Sequence, residues 1–234
     1  MTARRRILIT GASRGIGAHL VQHYLACGDE VVGCARGAAP LTHDRYTHAT
    51  VDITDEPAVR TLFRDVRQRL GGLDVLINNA GIASMNPVAL TPFETARRIV
   101  DTNFLGTFLF THGAIRLLRG SPAARIVNLT TVAVPMRLDG EALYAASKSA
   151  VETFTRIVAR EIGPLGITCN GVGPSPIRTH LTSNVPAGKI EALIARQSIP
   201  RWAEPDEVAN VVDFFLRPES RMVTGQIIYL GGAG

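Results

Sequence analysis

Residues 10–17 read Thr10-Gly11-Ala12-Ser13-Arg14-Gly15-Ile16-Gly17, and they join a short apolar run at 6–10 to a helix-length segment from 15 to about 27. Glycines at such a junction let the chain turn sharply and let a bound group approach the backbone. The helix that follows offers free N–H groups and the positive end of its dipole to phosphates. The segment therefore predicts a phosphate-binding turn of the kind that dinucleotide-binding proteins use.

Strand-length apolar runs and helix-length segments continue to alternate along the chain. Strands are predicted at residues 6–10, 30–34, 48–51, 75–78, 125–129, 167–172 and 226–230. Helices are predicted at residues 15–27, 56–70, 92–118, 143–162 and 205–215. Because such alternation is typical of a parallel sheet covered by helices on both faces, we predict a doubly wound α/β fold. A length of 234 residues suits a single domain, 1–234.

The stretch from residue 173 to residue 201 is irregular and contains four prolines around a short amphipathic piece at 188–197. A loop of this length inside a compact domain is usually a lid or a binding loop. It follows a strand, at the edge where doubly wound sheets bind ligands. We therefore predict a substrate lid at about 174–201.

The composition is that of an ordinary globular protein, with 46% hydrophobic and 19% charged residues. The apolar runs are short, so neither a membrane-spanning segment nor a signal peptide is predicted. The three cysteines, Cys27, Cys34 and Cys169, are widely spaced, which suggests neither a disulfide framework nor a metal site. We expect a soluble protein of a reducing cytoplasm.

The net charge of +5 comes mainly from arginines scattered along the chain. Nucleic-acid binding favours a basic stripe on a recognisable module, and the sequence contains neither. We therefore expect no nucleic-acid partner, and we expect some of these charges to bind an anionic small ligand.

The glycine spacing of residues 10–17, G-x-x-x-G-x-G, resembles the cofactor fingerprint of the short-chain dehydrogenase/reductase family, and the resemblance covers nearly the whole chain. The family's other motifs follow in order: Asp52-Ile53, Asn78-Asn79-Ala80-Gly81, Asn103, Tyr144-Ala145-Ala146-Ser147-Lys148 and Asn170-Gly171-Val172-Gly173-Pro174. Within the family the sequence is most similar to 3-oxoacyl-[acyl-carrier-protein] reductases. The resemblance implies a Rossmann-type, doubly wound parallel sheet of seven strands and a nicotinamide cofactor.

The second predicted strand ends in Gly33-Cys34-Ala35-Arg36, without the acidic residue that selects NAD by binding the ribose 2′-hydroxyl. Arg36 and Arg14 can pair with a 2′-phosphate, so we predict NADP(H); the alternative is that both are ordinary surface arginines. The resemblance implies that the rest of the cofactor contacts Gly11, Ser13, Gly15, Ile16 and Gly17, then Asp52 and Ile53 at the adenine, then Asn79, Ala80 and Gly81, and finally Pro174, Ile177 and Thr179 at the nicotinamide. Asn78 either joins this set or only ties neighbouring strands together.

Tyr144 and Lys148 are four residues apart on a predicted helix and so share one face. A free tyrosine has a pKa of about 10, and a cation held close lowers that pKa toward the working pH. Such pairs are common on exposed helices, but Lys148 is one of only two lysines in the chain and lies in register with the other motifs. The resemblance implies that Tyr144 is the proton donor and that Lys148 also binds the nicotinamide ribose.

Two further residues complete the catalytic set that the resemblance implies. Thr131 stands where the family has a serine; its hydroxyl can donate to the substrate oxygen, while its extra methyl group narrows the pocket. Thr130 is the alternative if the register differs by one, although strand alternation points it away from the site. Asn103 resembles the residue that holds a water in a proton relay, and its alternative role is a buried cap or kink.

These residues predict NADPH-dependent reduction of a ketone, such as a 3-oxoacyl thioester on a carrier protein or coenzyme A. One alternative is NADP(H)-dependent oxidation of a secondary alcohol, and another is a catalytically silent cofactor-binding protein, suggested by Thr131 and by Ser175 in place of the usual lid glycine. Carrier-protein docking is left open, because Leu165 stands where a basic residue is usual while Arg119 and Arg125 lie near the other docking edge. The apolar faces of the helix at 143–162 predict a homodimer or homotetramer.

Overall fold

Seven strands, all parallel, form one sheet in the part of the chain that the structure describes. The structure is a computed structural model, and it describes residues 4–183 and 185–232. In chain order the strands are β1 (Arg6–Thr10), β2 (Glu30–Ala35), β3 (Tyr46–Thr50), β4 (Val75–Asn78), β5 (Arg125–Leu129), β6 (Thr168–Gly173) and β7 (Ile227–Tyr229). They lie side by side in the order β3-β2-β1-β4-β5-β6-β7. The doubly wound, seven-stranded parallel sheet is therefore confirmed.

Helices cover both faces of this sheet. They are α1 (Gly15–Ala26), α2 (Glu56–Leu70), α3 (Phe93–Val100), α4 (Gly106–Leu118), α5 (Ala133–Met136), α6 (Ala142–Ile162), α7 (Ala187–Ala195) and α8 (Pro205–Leu216). None of the helices in the described ranges combines the length and the hydrophobicity that a membrane span requires.

Two hydrophobic cores lie on opposite sides of the sheet. Helices α1 and α8 contribute Leu20 and Phe215 to one core, while α2, α4 and α6 supply the other, which includes Phe110. Strand β1 shows how the sequence divides between them, because Ile7 belongs to the first core and Leu8 to the second. Successive strand residues point to opposite faces, so a strand covered on both faces is apolar throughout.

The predicted helix at 92–118 is wrong at its centre. Between α3 and α4 the residues Asp101–Leu105 form a π-helical segment, and the N–H of Gly106 donates to the carbonyl of Asp101 five residues back. A π-helical turn is wider than an α-helical one and is frequent at functional sites. Smaller differences concern strand ends, such as β3, which begins at Tyr46 because that residue pairs with Val31 of β2.

The predicted lid leaves the carboxyl end of β6 and returns to the start of α8. Its base is closed, because the N–H of Ala203 donates to the carbonyl of Pro176 at 2.9 Å and Ile177 forms a bridge with Ala203. Near its far end the N–H of Ile199 donates to the carbonyl of Gly231, just after β7, at 3.1 Å. The lid is therefore an excursion from the carboxyl edge of the sheet that is fastened at both ends.

Candidate active site

The glycine turn after β1 has a shape that only glycine adopts without strain. Gly11 and Gly15 have φ values of +68° and +56°, in the left-handed region that side chains disfavour. A Cβ on Gly17 would lie 2.2 Å from the carbonyl oxygen of Gly11, so any side chain there would push the turn open. The three glycines predicted for this turn are each required by its geometry.

The amino end of α1 is open to a ligand. Within the described residues no side chain caps this helix, and Arg14, at the N-cap position, is extended and exposed. The first backbone N–H groups of an uncapped helix need an outside partner, and a phosphate is the one that the helix dipole favours. This glycine cradle fits the pyrophosphate of a nicotinamide dinucleotide.

Asn79, at the end of β4, holds the turn in place. Its side-chain amide donates to the carbonyls of Thr10 at 2.9 Å and Gly11 at 3.2 Å, and its backbone N–H donates to the Thr10 hydroxyl at 3.0 Å. Asn78 points the other way, donating to the hydroxyl of Thr111 at 3.1 Å and to Asn128 Oδ1 at 2.8 Å. Asn79 thus supports the cofactor cradle, whereas Asn78 ties strands and helix together inside the protein.

The charged residues predicted for the adenosine end lie next to each other at the edge of the sheet. Arg36 Nη1 is 3.9 Å from Asp52 Oδ2; the Arg36 side chain is largely exposed and the Asp52 side chain is half-buried. They line an open pocket of about 370 Å³ together with residues of α3 and the π-helical segment. Burial opposes ionisation of Asp52, but hydrogen bonds from Thr54 and the nearby Arg36 lower its pKa below the usual value. Ile53 instead points into the core, where it packs against Gly106.

Tyr144 and Lys148 lie on the buried face of α6, with only 8% and 4% of their surfaces exposed. Lys148 Nζ donates to the carbonyl of Leu129, at the end of β5, at 2.7 Å. Burial lowers the pKa of Lys148 to about 8, because a charge loses hydration inside the protein. The lysine is thus tied to the strand that carries the next member of the site.

Thr131, and not Thr130, lies beside Tyr144. Burial raises the pKa of Tyr144 to about 12, while a hydrogen bond from Thr131 lowers it and the charge of Glu141 raises it. The expected lowering of this pKa by Lys148 is not what the protein shows, because burial of the phenol is the largest influence and it raises the pKa. Tyr144 is therefore a protonated phenol at neutral pH.

Asn103 lies in the π-helical segment and is completely buried. Its side chain accepts from the N–H of Ile82 and donates to the carbonyl of the same residue, both at 2.9 Å. It also donates to Ser147 Oγ at 2.9 Å, and Ser147 in turn donates to the carbonyl of Tyr144 at 2.7 Å. Ser147 is a member of the site that sequence reasoning missed, although it directly precedes Lys148.

Gly81 leaves room for the side chains of Asn103 and Lys148 to approach the same point of the backbone. A Cβ on Gly81 would lie 3.3 Å from both Asn103 Oδ1 and Lys148 Nζ. That separation is tighter than most side-chain contacts, so a glycine lets the two polar groups converge. The sequence motif that ends in this glycine is therefore explained by packing beside the lysine.

The lid residues predicted to contact the cofactor lie at the carboxyl edge of the sheet, as the glycine turn does. The side chain of Thr179 lies 3.5 Å from the Cβ position of Gly15, directly above the phosphate turn, and Ile177 is buried. Pro174 accepts a hydrogen bond at its carbonyl from the N–H of Val132 at 3.3 Å. Ser175, the departure from the expected glycine, donates from Oγ to the carbonyl of Leu230 at 2.8 Å. The serine is therefore an anchor that glycine cannot provide.

One residue expected at a docking edge is not on the surface. Arg125 is 3% exposed and donates from Nη1 to the carbonyl of Ala124, so the expectation that it lies at a docking edge is wrong. It is the first residue of an internal strand, and its long side chain folds back into the protein. Arg119 is exposed, as is Leu165.

Comparison with known proteins places this chain in a family. A family profile described as "Enoyl-(Acyl carrier protein) reductase" matches residues 11–232. The chain is 31% identical over 231 residues to the 3-oxoacyl-[acyl-carrier-protein] reductase FabG of Vibrio cholerae, covering 96% of this chain and 95% of that protein. The corresponding Escherichia coli protein is 30% identical over 233 residues, with the same two coverages.

Comparison with solved structures supports the same family. The aldohexose dehydrogenase of Thermoplasma acidophilum superposes with a TM-score of 0.88 at 29% identity, covering 98% of this chain and 94% of that one. A short-chain dehydrogenase of Leptospira borgpetersenii with bound NAD+ gives a TM-score of 0.89 at 26% identity, with coverages of 98% and 92%. The chain belongs to the short-chain dehydrogenase/reductase family. It is an oxidoreductase of the class that binds a nicotinamide dinucleotide.

Proposed function

We propose that this protein reduces a ketone to a secondary alcohol, with NADPH as the hydride donor and Tyr144 as the proton donor. The observation that carries the proposal is the meeting of Tyr144, Thr131 and Lys148 at the carboxyl edge of the sheet, beside the glycine turn. An acid whose pKa is raised by burial keeps its proton until the substrate oxygen becomes strongly basic. That state of Tyr144 is the one that a proton donor requires.

Each side chain has a separate task in the proposed reaction. NADPH, when bound, supplies the hydride that the carbonyl carbon receives. The Thr131 hydroxyl orients the substrate oxygen and stabilises the negative charge that develops on it. Tyr144 transfers its proton to that oxygen, and the Lys148 ammonium stabilises the resulting phenolate. Asn103 positions the backbone of Ile82 and the start of α6. We propose that it also holds a water molecule through which a proton returns to Lys148 and Tyr144.

The preference for NADPH over NADH rests on charge. Arg36 and Arg14 are exposed and flank the adenosine side of the turn. Arg36 has one carboxylate nearby, at 3.9 Å, a distance too long for a strong bidentate pair. Its guanidinium is therefore available to a ribose 2′-phosphate.

The proposed substrate class is a 3-oxoacyl thioester carried on an acyl carrier protein or on coenzyme A, as the names of the relatives suggest. Of the two arginines considered for docking, the exposed Arg119 is the one that can meet an acidic carrier, because Arg125 is buried. All three cysteines are free thiols, which suits the reducing cytoplasm expected for such an enzyme.

We also propose that the protein is a homodimer or homotetramer assembled through α4 and α6. Phe108 and Ile157 on these helices are 42% and 52% exposed. The ring of Phe154 is 6.3 Å from that of Phe108, so the two helices present one continuous apolar surface. A surface of this kind on a folded chain is typical of a subunit interface.

A substrate screen tests the reaction. NADPH oxidation is followed with acetoacetyl thioesters, simple ketones, quinones and sugars, and NADP+ reduction is followed with the matching alcohols. We expect the highest kcat/KM with a thioester. Faster turnover of alcohols at neutral pH would favour the oxidative enzyme instead, and tight NADPH binding without turnover of any ketone would favour a silent cofactor-binding protein.

Cofactor choice is tested in the same assay. We expect Arg36→Leu to lower kcat/KM for NADPH about tenfold, through loss of a charge-assisted contact, and to leave that for NADH unchanged. Arg60→Leu is the control, because Arg60 is a comparably exposed arginine on α2. A wild-type enzyme as efficient with NADH as with NADPH would refute the assignment.

A further inference from the structure

A further buried polar residue, Glu152, lies on the face of α6 that carries Tyr144 and Lys148. Glu152 follows Lys148 by four residues and Tyr144 by eight, and it is only 3% exposed. Its Oε2 accepts a hydrogen bond from the hydroxyl of Tyr229, at the end of β7, at 2.7 Å. Arg156 Nη2 lies 3.8 Å from the same oxygen, and the hydroxyl of Thr130 faces the carboxyl group. A buried acid needs such partners, and here the shortest bond joins the catalytic helix to the last strand of the sheet.

The ring of Tyr229 continues this connection toward the lid. It packs against Val132 and Met136, which follow Thr131, and Leu193 of the lid helix α7 packs against the same cluster. The phenol oxygen is thus fixed by Glu152, while the ring and the lid helix pack against one shared cluster. Moving the ring would change both the lid helix and the segment that carries Thr131.

The residues directly after Tyr229 fasten the base of the lid. The carbonyl of Leu230 accepts the hydroxyl of Ser175 at 2.8 Å, and the carbonyl of Gly231 accepts the N–H of Ile199 at 3.1 Å. One bond therefore holds the start of the lid and the other holds its end. Both depend on where β7 terminates, and Tyr229 is its last residue.

We propose that Glu152, acting through Tyr229, is a positioning residue that sets the lid over the nicotinamide end of the cofactor site. This inference rests on the proposed function, because it assumes that the lid closes on NADPH. The acid does not touch the reacting atoms. It ties the helix that carries Tyr144 and Lys148 to the strand end from which the lid is held, so the lid and the catalytic helix keep a fixed spacing.

The only tryptophan of the chain reports on the lid. Arg178, in the lid, stacks over the ring of Trp202 with the guanidinium carbon 4.4 Å from the ring centroid. Lid movement changes this contact and with it the fluorescence of Trp202. Stopped-flow fluorescence of Trp202 therefore follows lid movement, the fluorescence of the cofactor itself measures NADPH release, and steady-state kinetics give kcat and KM separately.

The test compares Glu152→Leu, Tyr229→Phe and the double variant with the wild type. We expect each single variant to raise both the NADPH release rate and the KM for NADPH about tenfold, the effect of losing about 1.4 kcal/mol of hydrogen bonding. We expect kcat to change less than threefold and the double variant to be no worse than either single one. Glu152→Gln keeps an acceptor oxygen and should restore most of the wild-type values. Glu161→Leu, an exposed acid on the same helix, is the matched control.

Two results would overturn the assignment. One is an NADPH release rate and a KM for NADPH within twofold of wild type in both single variants. The other is a double variant whose loss of binding free energy equals the sum of the two single losses, because additive losses show that the two residues act independently and not through one bond. If Glu152→Leu does not fold, Tyr229→Phe still decides, because it keeps the packed ring and removes only the hydroxyl. A wild-type protein that fails to bind NADPH contradicts the proposed function itself, whereas normal wild-type binding with unchanged variants contradicts only the role of Glu152.

Discussion

The glycine turn after β1 and the buried face of α6 form the two halves of the site in opposite ways. The turn is built from backbone, with glycines at φ +68° and +56° and with exposed arginines around it. The α6 face is built from side chains that are nearly inaccessible and whose pKa values are shifted by burial. We therefore expect cofactor binding at the turn to be lost when an atom is added, and catalysis at the α6 face to be lost when an atom is removed.

The sharpest way to test this contrast is to remove one oxygen from the α6 face. We expect Tyr144→Phe to lower kcat by about 10³-fold or more, because the proposed general acid is lost. NADPH binding, measured by enhancement of the cofactor's fluorescence, should stay within about threefold of wild type, since the turn is intact. A variant that retains near wild-type turnover would remove Tyr144 from its assigned role.

Adding one carbon to the turn should have the next largest effect. In Gly17→Ala the new Cβ would lie 2.2 Å from a backbone oxygen, so we expect about 3 kcal/mol of destabilisation and weakened NADPH binding. The control is Gly188→Ala in α7, where φ is outside the left-handed region and no described atom beyond the neighbouring residues and the helix's own backbone lies within 4 Å of the new Cβ. Equal stability of the two variants by urea unfolding would contradict the geometry of the turn.

The lowered pKa of Lys148 predicts a smaller, pH-dependent effect. Its pKa is about 8 in the folded protein and 10.5 in the unfolded chain, so between these values the unfolded state binds more protons. Stability should therefore rise as pH increases through 8, by about 2 kcal/mol between pH 8 and pH 10 relative to Lys148→Met. Tyr144 begins to oppose this only above about pH 10. Parallel unfolding curves for the two proteins across that range would show that the lysine is not buried as described.

The smallest change replaces Thr131 with the serine that the family has. Thr131→Ser keeps the hydroxyl beside Tyr144, so we expect kcat within about threefold of wild type and a wider range of ketones, because a methyl group is removed from the pocket. Thr131→Ala should lose about tenfold or more in kcat. A Ser variant as impaired as the Ala variant would mean that the methyl group, and not the hydroxyl, is what the site requires.

The sheet was predictable because apolar residues recur at different spacings in strands and in helices. Strands buried on both faces, such as β1, also stand out as continuous apolar runs. The π-helical segment was not, since Asp101–Leu105 has no residue that breaks an α-helix and its widening depends on the contacts of Asn103. The start of β3 was missed because it depends on pairing with Val31, a contact between strands rather than a local pattern. Local chemistry thus predicts elements better than it predicts their irregularities.

The candidate site also has a part that the sequence predicted and a part that it did not. Motif spacing indicated which residues meet, and the structure brings Tyr144, Thr131 and Lys148 together. Motif spacing could not indicate the balance of burial and charge that raises the pKa of Tyr144, because burial is a property of the whole fold. For the same reason Ser147 and Glu152 gave no signal, and Arg125 was expected on the surface although its side chain is enclosed.

The strand order has a consequence for how the protein is assembled. β3, β2 and β1 come from the first 50 residues and β4 to β7 from the rest, so within the sheet the two halves meet along one seam, β1 against β4. The bonds from Asn79 to Thr10 and Gly11 cross that seam. A ligand held by the turn therefore binds the joined halves, and its binding energy adds to the free energy of folding.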